Sequence, residues 1–124
     1  MSWTSPFLKI DHVQLAIPEN MEERAREFYL KVLGFAEIPK PETLAGRGGL
    51  WLESGEAVIH LGVDSDFHAA HKAHPALICR NYPVMVQHLQ DAGFQPIRDE
   101  SIPGVTRCHV FDPFGNRLEL IAAR

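Results

Sequence analysis

Landmarks in the first half of the chain recur, in the same order, in the second. A histidine opens an apolar stretch at His12 and again at His74, 62 residues on. Gly34-Phe35 closes the first amphipathic stretch, and Gly93-Phe94 closes the next, 59 residues on. His60 in the last apolar stretch of the first half is matched by Glu119, again 59 residues later. A unit of about 55 residues struggles to close a hydrophobic core by itself. Two such units packed together share one, so the repeat favours a duplicated architecture around a common core.

Each unit reads as β-α-β-β-β. From Leu8 to Ile17, Val13, Leu15 and Ile17 alternate with His12, Gln14 and Ala16, as in a half-buried strand. Pro18 ends it, and Asn20 with Glu23 has the spacing of a helix cap. Met21, Ala25, Phe28, Val32 and Leu33 then keep helical period up to Gly34. Strands are expected at Phe35–Ile38, Gly49–Glu53 and Ala57–Val63, with a loop at Pro39–Gly48. The second unit repeats the order: a strand from His74 to Cys79, a helix capped by Asn81 and closed by Gly93, and strands at Phe94–Arg98, Val105–Phe111 and Asn116–Ala122. Asp112-Pro113-Phe114-Gly115-Asn116 is a turn sequence, since Pro fixes φ while Gly and Asn tolerate positive φ. The chain is thus expected to be one domain over 1–124, with module one at 8–64, a linker at 65–73 and module two at 74–122.

Composition narrows the function. Twelve basic against sixteen acidic residues give a net charge of −4 with no basic block, which argues against nucleic acid as the main partner. No apolar run approaches the roughly 20 residues of a membrane-spanning helix, and the opening stretch from Met1 to Pro6 lacks the pattern of a secretory signal. Two cysteines, Cys79 and Cys108, are too few for a disulfide framework and suit a reducing cytoplasm. The seven histidines are the one excess.

Strand alternation places the candidate chemistry. Val13, Leu15 and Ile17 form one face, so His12 lies opposite; Ile59, Leu61 and Val63 put His60 opposite; Leu118 and Leu120 put Glu119 opposite. If helices cover the aliphatic faces, His12, His60, His74 and Glu119 converge on a concave surface. Imidazole nitrogens with a carboxylate oxygen are a donor set for a divalent metal such as Zn, Fe, Mn, Co or Ni. Taken singly, each of these residues reads more readily as an ordinary surface, hydrogen-bonded or salt-bridged side chain than as a ligand; the repeat is what favours the set. Arg107, His109 and Phe111 share one face of their strand; Arg107 suits a substrate carboxylate or phosphate, and equally a salt bridge. Trp51, between Leu50 and Leu52, suits a pocket wall or core filling. His68, His71 and His74 recur every three residues, in a stretch that reads as a polar linker.

On these residues the chain resembles the vicinal oxygen chelate superfamily, the group of glyoxalase I, bleomycin-resistance proteins and extradiol dioxygenases. The carriers are Asp11-His12-Val13-Gln14-Leu15-Ala16-Ile17, Phe28-Tyr29 through Leu33-Gly34-Phe35, Ala57-Val58-Ile59-His60-Leu61, the strand opened by His74, and Asp112 through Leu120. The resemblance implies an α+β fold of two βαβββ modules whose curved mixed sheets form an open cup. It implies a metal on His12, His74 and Glu119, with His60 as a fourth ligand or an acid/base and Glu119 also catalytic. It further implies chelation of neighbouring oxygens of a small substrate against Trp51, Arg107 and His109, with isomerase, lyase or dioxygenase chemistry left open. Glyoxalase I-like members carry Glu where this chain has His60. Bleomycin-resistance-like members use the same cup without metal, to bind a ligand. A homodimer is expected by analogy, because many relatives complete the pocket across subunits.

Overall fold

The computed structural model describes residues 4–124, so the first three residues of the opening stretch lie outside it. Strand β1 (Val13–Ile17) leads into a short helix α1 (Glu22–Arg26), which continues in wider π-type turns over Glu27–Val32. Three strands follow, β2 (Ala36–Ile38), β3 (Leu50–Ser54) and β4 (Ala57–Val63). The second module repeats the series as β5 (Ala76–Cys79), α2 (Tyr82–Asp91), β6 (Ile97–Arg98), β7 (Arg107–Phe111) and β8 (Arg117–Ala122). The sheets have orders β1-β4-β3-β2 and β5-β8-β7-β6, the same topology twice. In each, the first strand pairs parallel with the last, and the remaining pairs are antiparallel.

Each sheet buries one face. Leu15 and Ile17, Leu50 and Leu52, and Ile59 and Leu61 face inward from the first sheet; Cys108, Val110, Leu118 and Leu120 face inward from the second. They form one core with Phe28, Tyr29, Phe35 and Leu89, and Phe28 packs on Phe94 with ring centroids 4.7 Å apart. The modules are also tied by polar bonds. Asn116, fully buried, donates through Nδ2 to the carbonyl of Ala16 (2.8 Å) and accepts through Oδ1 from the Ala70 N–H (3.0 Å). The expected turn at Asp112–Asn116 forms: Asp112 Oδ1 accepts from the backbone N–H of Phe114 (2.9 Å) and Asn116 (2.8 Å). Gly49, at φ +81°, lies so close to β4 that a Cβ would sit 2.1 Å from the carbonyl oxygen of Leu61.

Some local expectations need correction. The first strand does not begin at Leu8. Its partner β4 emerges from a hairpin turn only at Ala57, which leaves no backbone for Leu8–Ile10 to pair with. Phe7, Leu8 and Ile10 are 87%, 99% and 78% exposed. Asn20 does not cap α1; it adopts φ +62°, a conformation Asn tolerates, and Met21 takes the cap position without a side-chain bond. Asn81 does cap α2, accepting from the Val84 N–H at 3.4 Å. The loop at 39–48 contains a 3-10 helix, Glu42–Arg47.

Candidate functional site

The uncovered face of the first sheet carries a row of rings. Trp51 on β3 lies in register with His60 on β4, and Gln14 of β1 flanks His60 on the other side. Trp51 and His60 stack with centroids 4.1 Å apart and planes 5° from parallel, and His12 stacks on the far side of His60 at 3.9 Å and 19°. His60 is 8% exposed. Burial, reinforced by the neighbouring His12, pushes its imidazole below the ordinary histidine value and favours the neutral ring. Gly62 leaves room for the Gln14 side chain, which a Cβ there would meet at 2.9 Å. The face borders a cavity of about 710 Å³, lined among others by His12, Gln14, Lys40, Arg47, Trp51 and His60.

The uncovered face of the second sheet carries the charges. His74 precedes β5, Glu119 lies on β8 and Arg107 on β7. Glu119 Oε1 faces His74 Nε2 at 3.1 Å, and Glu119 Oε2 accepts from Arg107 Nη1 at 3.0 Å. Burial works against the Glu119 carboxylate, but the hydrogen bonds from Arg107 and His74 outweigh it and hold the group below the ordinary glutamate value. His109 lies opposite Glu119 in register, edge-on to Phe111, and its Nδ1 is buried without a partner among the described residues.

Two histidines share one device. The Nδ1 of His12 lies 2.9 Å from Asp11 Oδ2, and the Nδ1 of His74 lies 2.7 Å from the carbonyl oxygen of Lys72. A backbone carbonyl only accepts, so Nδ1 of His74 carries the proton. An Asp11 carboxylate imposes the same tautomer on His12; the His12 hydrogen bond holds that carboxyl below its ordinary value. Both rings therefore turn Nε2 away from the Nδ1 partner, the orientation metal-ligating histidines usually have, with His74 Nε2 engaged by Glu119. An ion bound by His74 and Glu119 would take the place of the contact between Nε2 and Oε1, which are 3.1 Å apart.

The donor types thus fit a divalent metal, but one chain does not assemble them. Among the described residues no three His, Cys, Asp or Glu side chains gather to hold an ion. The expected convergence of His12, His60, His74 and Glu119 is replaced by two pairs, one on each sheet's open face. Duplication places equivalent positions on equivalent faces of separate sheets, and those faces need not meet within a chain. Nor do His12 and His60 fit a shared ion as stacked. Their lone pairs lie in the ring planes, and near-parallel planes 3.9 Å apart do not bring them to one point.

The Glyoxalase/Bleomycin resistance protein/Dioxygenase superfamily model matches residues 9–120. The chain belongs to this superfamily. No curated protein matches it in sequence. Among solved structures it is similar to a protein from Bacillus anthracis described as of the glyoxalase family, at 44% identity over 95% of this chain and 97% of that one, with a TM-score of 0.91. A glyoxalase/dioxygenase from Nostoc punctiforme (15% identity, 98% and 94% covered, TM-score 0.76) and the fosfomycin resistance protein FosX from Listeria monocytogenes (11%, 95% and 95%, TM-score 0.74) share the fold.

Several neighbours of the candidate side chains were not foreseen in the sequence. Asp11 was not singled out, although its place beside His12 in the sequence is the signal that could have found it. Asp99 and Ser101 had no such signal: both bind Arg107 Nη2, at 3.0 and 2.8 Å, through a loop closure that no local pattern announces.

Proposed function

We propose that the chain is a divalent-metal-dependent enzyme of this superfamily, acting on a small oxygenated molecule, whose metal is shared by two copies of the chain. His12 of one copy and His74 with Glu119 of the other supply the donors. The observation that carries this reading is the shared orienting device: two histidines at equivalent positions, each with Nδ1 tied to an oxygen and Nε2 turned the other way, in His74 onto the Glu119 carboxylate. When bound, the metal supplies Lewis acidity, stabilising negative charge on neighbouring substrate oxygens.

The chain's own residues do the rest. Asp11 and the Lys72 carbonyl fix the two rings. Trp51 and His60 stack into a flat wall that shapes the pocket. His60, kept neutral by its burial, is suited to accept a proton from the substrate. The superfamily's isomerase, lyase and dioxygenase reactions all begin from such chelation. The two free thiols, Cys79 and Cys108, suit a reducing compartment such as the cytoplasm. Among the described residues no helix is long and apolar enough to cross a membrane.

Tag-free protein titrated with Co²⁺, Ni²⁺, Zn²⁺ and Mn²⁺ by calorimetry tests the reading. About one ion per chain is expected, with His12→Ala and Glu119→Ala each abolishing uptake while the far-UV circular dichroism is kept. A second reading, a metal-free binding protein, is favoured by the cavity of about 710 Å³ and its ring-lined wall, all within one module. No uptake of any of the four ions overturns the metal reading and favours the second.

A further inference from the structure

Arg107 sits at the centre of a chain of contacts that runs from a loop to the candidate donors. Asp99 Oδ2 and Ser101 Oγ lie 3.0 and 2.8 Å from its Nη2. Its Nη1 donates to Glu119 Oε2 at 3.0 Å, Glu119 Oε1 faces His74 Nε2 at 3.1 Å, and His74 Nδ1 ends the chain on the Lys72 carbonyl at 2.7 Å. We propose that Arg107 is a positioning residue, which takes one oxygen of Glu119 so that only Oε1 is presented to the metal.

Three observations support this over the substrate-binding role that its residue type invites. Both terminal nitrogens are engaged within the chain, and Nε is buried with no partner among the described residues, so little of the guanidinium faces a ligand. The side chain is only 15% exposed, against 62% for Arg98 one strand away. Its two carboxylate partners lie on separate elements, Glu119 on β8 and Asp99 in the loop after β6. A planar fork spans two carboxylates at fixed angles; a lysine ammonium, a point charge on a flexible stem, does not. Ser101 further ties the loop down: its hydroxyl and backbone N–H both bind Asp99 Oδ1. A carboxylate held at one oxygen coordinates in one mode. Released, it rotates and chelates through both.

The proposal rests on the metal reading above, and its test separates the two. Co²⁺ is titrated into the wild type, Arg107→Lys and Asp99→Asn, following affinity by calorimetry and coordination by the visible d–d bands. Both variants are expected to bind about 10–100-fold more weakly, with altered band positions and intensities, and Arg107→Lys is expected to be the weaker. Asp99→Asn keeps shape and most packing, so it remains informative if Arg107→Lys folds poorly. Loss of thermal stability with unchanged affinity and bands marks a purely structural arginine and overturns the proposal. A wild type that takes up no Co²⁺ overturns the metal reading and the positioning role together. A wild type that binds alongside variants of equal affinity and spectrum overturns the positioning role alone.

Discussion

Tyr29 donates a hydrogen bond to Asp112 across 83 residues of chain, Oη to Oδ2 at 2.7 Å, and both side chains are buried. The bond links the π-type turns of module one to the turn before β8. Asp112 meanwhile accepts from the backbone of Phe114 and Asn116 and from Asn116 Nδ2, so the contact between modules is anchored in a polar knot.

Tyr29→Phe is expected to cost about 1–3 kcal/mol in urea unfolding, because a buried carboxyl oxygen loses its hydroxyl donor. A pH signature accompanies it. Burial, and the adjacent Asp112, push the Tyr29 phenol well above its ordinary value of 10.0. The unfolded chain therefore releases that proton first. Stability is fully present below about pH 10 and is lost as pH rises beyond it. Tyr82, raised for a like reason by burial and by Cys108, adds to the same slope. The variant is expected to show a shallower alkaline loss, and an unchanged slope refutes the assignment.

Two glycines with similar backbone angles are expected to respond differently to alanine. Gly93, at φ +89°, has open space where a Cβ would go, so Gly93→Ala costs only the roughly 1–2 kcal/mol of a left-handed residue. At Gly49 the new methyl meets the Leu61 carbonyl, so Gly49→Ala costs clearly more, and β3 must shift against β4. Thermal melts of the two variants check the ranking; equal losses contradict it.

Asp11 is 87% exposed at its side chain, and its described bond is to His12. Asp11→Ala is therefore expected to leave the melting temperature within about a degree. Co²⁺ affinity is expected to fall about tenfold, since the ring loses the group that fixes its tautomer. Calorimetry beside a thermal melt reads both effects, and unchanged affinity removes Asp11 from the site.

Complementation tests the sharing of donors between copies. His12→Ala and Glu119→Ala variants, each silent toward Co²⁺, are expected to regain binding when mixed and allowed to exchange subunits. One of the two sites in a mixed dimer then keeps all three donors. Recovery is expected to reach about a quarter of the wild-type capacity at equal mixing, by random pairing. No recovery in subunits shown to exchange contradicts a shared site.

The architecture was legible because apolar alternation, two Gly-Phe exits and the Asp-Pro-Phe-Gly-Asn turn each encode local geometry. The inward faces at Leu15 and Ile17, Ile59 and Leu61, and Leu118 and Leu120 followed from period two alone. Alternation also told which way His12, His60 and Glu119 point. It carries no information on how one sheet's open face stands to the other's, so it misjudged the grouping of the four side chains. Strand extent failed at Leu8 for a related reason: pairing depends on where the partner begins, and β4 begins at Ala57. Arg107 matched a substrate-binding pattern equally well as a salt bridge, and only the position of the loop at Asp99 and Ser101 separates the two.

The common core also makes the duplication irreversible. Phe28 rests on Phe94 and Ile17 is sealed from solvent, so neither half inherits an interior it could keep dry by itself. A chain cut between the modules yields two fragments with exposed aromatic surfaces, each the other's natural lid. What began as a repeat now behaves as a single cooperative body that lives or unfolds whole.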